Sequence, residues 1–226
     1  MKISYLITCK NETKTLSKLL YKIGVNKPDY VEIIIIDDFS DNPETVRILK
    51  EMDSPCQGWR VYQHDLNNDY GSHKNFGNSK CDGTWIFQID SDELPSDSIL
   101  GDNLLSIIES NPNVELIYVP RINDFKGVTE EHAKQWGWKL DTSSTYGRPR
   151  INFPDFQGRI YRNIPDRIKW DRKLHEKIEG HTEYSFLPAE EEYALYHDKT
   201  IEKQIETNMR YNQIFTTDEN RGHKIT

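Results

Sequence analysis

The chain has little of what would place it in a membrane, in a disulfide framework or on nucleic acid. None of its 226 residues falls in an apolar span of the ~20 residues that a membrane helix needs, so any membrane contact is expected to be peripheral. Its three cysteines, Cys9, Cys56 and Cys81, are widely separated and in no CxxC or Cys/His spacing, which fits reduced thiols rather than disulfides or a zinc site. One lysine precedes the first strand and no leader pattern is present, so a cytoplasmic location is expected and the sequon Asn11-Glu12-Thr13 is incidental. A basic excess is also missing. With Lys+Arg 29 against Asp+Glu 37, the net charge is -8 and the pI near 5.4, which argues against a protein that grips nucleic-acid phosphates. The one basic concentration, from Arg148 to Lys173, is interrupted by Asp155, Asp166 and Asp171 and reads as a mixed solvated face.

What is present, 35% hydrophobic and 29% charged residues, suits one sizeable core. Residues 1–122 alternate strands with helices. Ile3 to Ile7 reads as a strand, and Leu16, Leu19, Leu20 and Ile23 then recur at helical spacing before Gly24. Val31 to Ile36 is almost continuously apolar and β-branched, as in a strand covered on both faces. Pro43, behind Asp41 and Asn42, starts a helix carrying Val46, Ile48 and Leu49. Trp59 to His64 and Trp85 to Ile89 read as further strands around a short helix from Ser72 to Lys80. A helix bearing Leu100, Leu104, Ile107 and Ile108 then leads to a strand from Glu115 to Ile122. This succession predicts an α/β fold, a Rossmann-like open and mostly parallel sheet flanked by helices. Residues 123–226 are expected to form the less regular other half of the same domain.

In such sheets ligands bind beyond the carboxyl ends of the strands. Three polar clusters lie there: Thr8 to Glu12, Asp37 to Asp41, and Asp90-Ser91-Asp92. Each alone also reads as a turn or cap. Together they put acidic groups on one edge, where Asp90 and Asp92, one residue apart, can turn toward one point and offer oxygen ligands to Mg2+ or Mn2+.

Ile7-Thr8-Cys9-Lys10-Asn11-Glu12, Ile35 to Asn42, Lys74-Asn75 and Gly83 to Glu93, in that order, closely resemble the family 2 glycosyltransferases of the GT-A fold. The resemblance implies a donor nucleotide sugar, with a UDP-sugar favoured, and Mn2+ or Mg2+ as cofactor. It implies that Asp38 reads the base, that Thr8 and Glu12 lie near base and ribose, and that Asp90 and Ser91 lie on the donor side. Asp92 would then be the direct metal ligand and Asp90 would bridge ribose and metal. Lys74 stands where the family usually has an arginine; it can meet a diphosphate as a point charge, without the bidentate fork. The metal would neutralise the departing nucleoside diphosphate.

In the second half, Gly158 to Asn163, Ile168-Lys169-Trp170 and Lys173 to Ile178 resemble a branch of this family in which an arginine-rich strand leads to a tryptophan and a His-Glu pair on the acceptor side. Inverting transfer needs a base for the acceptor hydroxyl. Glu176 is the candidate, with His175 as its neighbour; a salt-bridged surface glutamate is the alternative. A zinc-protease HExxH is excluded because position 179 is a glutamate and the next histidine is His181. Leu174, Glu176 and Ile178 alternate as in a strand. The resemblance also places a late metal-completing histidine at His197, although a surface or capping role fits equally.

Trp136, Trp138 and Tyr146 lie in a polar stretch where aromatics either stack on sugar rings or anchor a loop. A final helix carries Ile201, Ile205 and Met209 and is expected to pack across the sheet, with a frayed tail beyond Thr217. The acceptor remains a glycan, lipid-linked or other hydroxyl. A nucleotidyltransferase should carry a glycine-rich loop after the first strand, and Thr8 to Glu12 contains no glycine. A non-catalytic nucleotide-sugar or carbohydrate-binding module of the same fold is the remaining alternative.

Overall fold

The computed structural model describes residues 1–25, 27–142 and 149–216. The first half runs β1 (Ile3–Cys9), α1 (Lys14–Gly24), β2 (Val31–Asp37), α2 (Pro43–Met52), β3 (Trp59–Gln63), α3 (Tyr70–Asn78), β4 (Trp85–Asp90), β5 (Glu93–Pro95) and α4 (Gly101–Ser110). The second runs β6 (Leu116–Lys126), α5 (Glu130–Trp136), β7 (Leu140–Asp141), β8 (Arg150–Arg162), β9 (Lys169–Asp171), β10 (Lys177–Glu179), β11 (Tyr184–Phe186), β12 (Leu195–Thr200) and α6 (Ile201–Ile214). Helix starts follow their caps. The Asn42 side chain accepts from the Glu44 and Thr45 amides with Pro43 in the first turn, and Asp69 accepts from the Ser72 amide.

The sheet order is β3-β2-β1-β4-β8-β6-β12-β5. β3, β2, β1 and β4 are parallel, as the βαβ pattern requires, and Thr8 pairs in register with Asp90 and Cys9 with Asp37. β8 then enters antiparallel between β4 and β6, so the strand from Glu115 does not sit beside β4 directly. β12 runs parallel to β6 and antiparallel to β5, which closes the upper part of the sheet back toward the end of β4. Alternation divides the core between two faces. Ile3, Tyr5, Ile7, Ile33, Ile35 and Phe87 pack with α1, α2 and α4, whereas Leu6, Ile34, Ile36, Ile86 and Tyr161 pack with Trp170 and Ile178 of the β9–β10 hairpin.

Two expectations are corrected. Strand β10 begins only at Lys177, and His175 takes a left-handed φ of 55°, so the His-Glu pair occupies a turn before the strand. On α6 the buried residues are Ile201 and Gln204, while Met209 is 57% exposed. A stripe at spacing four drifts around a helix of about 3.6 residues per turn, so Met209 rotates away from the face that Ile201 buries. Tyr146 and the tail beyond Thr217 lie outside the described residues.

At the opposite end of the sheet from the acidic strand ends, Glu32 is buried and fully engaged. Its Oε1 accepts from Ser4 Oγ and the Asp82 amide, both at 2.6 Å, and its Oε2 meets Lys2 Nζ at 2.8 Å and an Arg60 amine at 2.6 Å. Gly83 makes this approach possible, since a Cβ there would lie 2.6 Å from the Ser4 amide nitrogen. Burial works to raise the Glu32 carboxyl, but the hydrogen bonds from Lys2, Ser4 and the Asp82 amide outweigh it and hold the carboxyl below its ordinary value. A carboxyl lowered in the folded state adds stability above its unfolded value, and that stability is lost as pH falls through the folded one. Glu32→Gln should therefore cost roughly 1–3 kcal/mol near neutral pH. The difference from wild type should shrink in denaturant titrations below about pH 4.

Candidate active site

The parallel strands deliver Thr8, Asp38 and Asp90-Ser91-Asp92 to one edge, and a cleft of about 2010 Å³ opens there. Lys74, Trp170, His175 and Glu176 form one wall; Asn123, His197 and Lys199 form another, and α6 lies along the mouth. That volume exceeds the several hundred to about 1,000 Å³ of an ordinary small-molecule pocket.

Along the cleft runs a chain of buried and half-buried polar side chains. Asp90 Oδ2 accepts from Arg159 Nη2 at 2.6 Å, and the same nitrogen donates to Glu93 Oε1 at 2.7 Å. Glu93 Oε1 also accepts from Arg121 Nη1 at 3.2 Å, while Arg121 Nη2 donates to Asp155 Oδ2 at 2.7 Å. Asp155 Oδ2 accepts from Asn123 Nδ2 at 2.8 Å, and Asn123 Oδ1 lies 2.9 Å from His197 Nδ1. His197 Nε2 faces Asp92 Oδ2 at 3.3 Å, which returns the circuit to the strand end where it began. Burial works to raise the carboxyl of Asp90, but the charges of Arg159 and Lys74 and a hydrogen bond from Gln88 hold it well below the usual range. For Asp92 burial acts in the same direction, and His197 outweighs it.

The circuit assigns the imidazole. Because the Asn123 amide donates to Asp155, its oxygen faces His197, so Nδ1 carries the proton. Nε2 then points at a carboxylate, and either a second proton or a bound cation satisfies the two. A carboxylate oxygen and an imidazole nitrogen are a donor set that fits Mn2+, with Mg2+ favoured less by the nitrogen. No group of three His, Cys, Asp or Glu side chains that could hold a metal occurs among the described residues, so Asp92 and His197 would leave the other positions to phosphate oxygens and water. Asp90 Oδ1 also accepts from Gln88 at 2.8 Å and from Thr8 Oγ1 at 3.2 Å.

Lys74 is 3% exposed, and its ammonium lies 2.6 Å from Glu176 Oε1, 3.4 Å from Asp90 Oδ1 and 4.5 Å from the centre of the Trp170 ring. It therefore couples the glutamate of the turn before β10 to the β4 strand end. Asp38 Oδ1 accepts from the Leu66 amide at 2.9 Å and its Oδ2 pairs with the exposed Lys10 at 2.8 Å. Glu12 pairs with Lys203 of α6 and accepts from Thr15 Oγ1, fastening the helix to the loop after β1. The Ser91 amide donates to the Thr8 carbonyl at 3.2 Å.

Trp136 and Trp138 pack with centroids 4.6 Å apart and planes tilted at 54°, and Phe125 meets both Trp138 and His197 edge-on at 5.6 Å. The two tryptophans thus anchor their segment onto the site histidine while still lining the cleft. Reading the sequence singled out neither Glu93, Arg121, Asn123, Asp155 nor Arg159 as a site residue. Glu93 and Arg159 lay inside quoted motifs and carried a usable signal, a charge within an apolar strand pattern. Lys199, two residues after His197 on the same strand face, was also missed; among the described residues it forms no ion pair, although it lines the cleft.

Residues 4–174 match the family model described as Glycosyl transferase family 2. No curated protein sequence matches the chain. Among solved structures, S. aureus TarS is similar, with a TM-score of 0.59 and 18% identity over 89% of this chain and 37% of that one. The TarS 1–349 structure matches at a TM-score of 0.59 and 18% identity over 93% of this chain and 64% of that one. The same fragment in complex with UDP-GlcNAc matches at a TM-score of 0.59 and 17% identity, over 88% and 59%. The chain thus spans less than two thirds of each, and at these identities the likeness is one of fold.

Removing the central cation of the circuit should leave Asp90 and Glu93 with too little compensation. Arg159→Met should cost roughly 3–5 kcal/mol in urea unfolding, the usual penalty for stranding a buried partner. A loss under about 1 kcal/mol would mean that the circuit contributes no more than an exposed ion pair.

Proposed function

The chain belongs to glycosyl transferase family 2, and from that premise we propose that it moves a sugar from a nucleotide-sugar donor to an acceptor hydroxyl with inversion. A UDP-sugar is the favoured donor, in line with the similar fold that has been solved with UDP-GlcNAc. The observation that carries this reading is the gathering of Asp38, Asp90, Asp92, His197 and Glu176 around a single cleft, with Asp92 and His197 tied to Asp90 through one chain of polar contacts.

The division of labour follows from the partners. Asp38, buried and oriented by the Leu66 amide, offers a carboxylate to a base N–H once Lys10 swings away. Thr8, Glu12 and Ser91 border the same end of the cleft and suit ribose contacts. Asp92 and His197 would hold Mn2+ or Mg2+, which when bound supplies positive charge against the leaving diphosphate. Lys199 lines the cleft beside them and offers a further cation for the same charge. On the other wall, Glu176 is oriented by Lys74 at 2.6 Å and takes the proton of the attacking hydroxyl. Lys74 then acts by orienting that base rather than by gripping the diphosphate.

A thermal-shift panel of UDP-, GDP- and dTDP-sugars, with and without Mn2+, should give a stabilisation that needs one nucleotide and the metal together. Asp92→Ala should remove the metal-dependent part and abolish turnover. Normal turnover by that variant would reject Asp92 as ligand. Glu176→Gln should lower the rate by on the order of 10² to 10⁴ with the donor shift retained, and a near-normal rate would move the base elsewhere.

A further inference from the structure

Beyond the cleft, on the face that carries the β9–β10 hairpin, four aromatic rings from three strands form one cluster. Tyr118 of β6 stacks on Phe186 of β11 with centroids 4.8 Å apart and planes at 18°, and meets Tyr184 edge-on at 5.8 Å. Phe156 of β8 closes the group, edge-on to Phe186 at 4.8 Å. Tyr118 and Phe156 line the cleft together with Glu176, whereas Tyr184 and Phe186 continue the surface outward at 56% and 52% exposure. Leaving two such rings in water forgoes burial that a folded chain normally takes, and an exposed aromatic surface continuous with a binding cleft marks a place where something binds. Gly158 of β8 lets Tyr118 pack close to that strand, since a Cβ on it would lie 3.3 Å from Leu116 and 3.5 Å from Tyr118.

From this we infer that Tyr118, Phe156, Tyr184 and Phe186 form the acceptor subsite and that its occupant is a neutral saccharide, one pyranose ring of which lies against the rings while a neighbouring hydroxyl reaches Glu176. The inference rests on the glycosyl-transfer reading and narrows its acceptor. A pyranose presents an apolar C–H face that suits aromatic rings, and its hydroxyls need polar groups at the edge. The exposed Glu179 and Glu183 supply these, with Glu179 close enough to act on the Tyr118 phenol. Glu179 stands opposite Lys169 across the hairpin, so with Glu183 the edge carries no cationic excess to attract a phosphorylated chain or an anionic membrane, in a protein whose net charge is already -8. Tyr118 and Phe156 are held half-buried by their neighbours, so little side-chain entropy is lost on binding.

The full chain, with the nucleotide sugar that stabilises it, is assayed for nucleoside diphosphate release with methyl pyranosides and neutral tetrasaccharides, and with sorbitol as an acyclic control. The double variant Tyr184→Ala/Phe186→Ala changes two exposed positions, so its fold is expected to hold. It should raise the saccharide KM by roughly tenfold or more, leaving the donor thermal shift and acceptor-independent donor hydrolysis unchanged, and Phe186→Trp should retain the wild-type KM. An unchanged saccharide KM in the double variant, equal stimulation by sorbitol, or no stimulation by any saccharide would overturn the subsite alone. So would sedimentation with phosphatidylglycerol vesicles, or a dimer seen by ultracentrifugation that the double variant abolishes, because either would assign the rings to another occupant. Absence of both donor stabilisation and nucleotide release in the wild type would instead defeat the transfer reading on which the subsite depends.

Discussion

The contact on which the site depends is the buried pair between Arg159 and Glu93. A guanidinium and a carboxylate, 3% and 2% exposed, are costly to bury unless every remaining donor and acceptor finds a partner. Here most partners come from the site itself, although the buried Arg159 Nε has none among the described residues. Arg159 spends its other contacts on Asp90 and Gln88, while Glu93 accepts from Arg121 and from the Asp90 amide. The requirement to satisfy these two charges therefore draws four strands, β4, β5, β6 and β8, into a single arrangement. The arrangement leaves Asp92 and His197 as the pair at its surface. A half-satisfied version would cost more than an apolar core, so the circuit acts as a unit.

This explains why the antiparallel strand matters. In a purely parallel α/β sheet the strand ends face loops and helix starts. Here β8 inserts between β4 and β6 and runs past the end of β4, so a cation from its middle reaches back under the acidic cluster. β12 and β5 then bring His197 into register with both Asn123 and Glu93. The acidic strand ends Asp38 and Asp90 come from the parallel half, and the Arg159 charge that holds Asp90 in place comes from the mixed half. One helix links the two across the mouth: α6 fastens to Glu12 through Lys203 and to the Tyr70 hydroxyl through Arg210.

The parallel half was legible because its signals are local. The β-branched run of β2, the Asn42-Pro43 start of α2 and the acidic residues closing β1, β2 and β4 each follow from neighbours within a few positions. The circuit was not legible, because Arg121, Asn123, Asp155 and Arg159 meet Glu93 and His197 only through strand pairings that span 28 to 74 residues. In α6 the four-residue spacing of Ile201, Ile205 and Met209 drifts around the helix, so Met209 leaves the face that Ile201 buries. The aromatic cluster was hidden for the same reason as the circuit. Its four rings come from three strands, and Tyr184 and Phe186 alone read as an unremarkable edge strand, whereas the conspicuous Trp136 and Trp138 are used largely to anchor their own segment.

Lys74 is the position where the sequence departs from the arginine usual in the family, and its surroundings supply a physical reason. The ammonium sits under the Trp170 ring with two carboxylate oxygens, from Glu176 and Asp90, at 2.6 and 3.4 Å. A compact point charge can be shared between two anions that converge from different elements, whereas a planar fork is suited to one carboxylate taken bidentately. An arginine here would also have to fit its larger group into a place that is 3% exposed. The lysine therefore ties the glutamate of the turn before β10 to the end of β4, and so fixes one wall of the cleft to the acidic strand end.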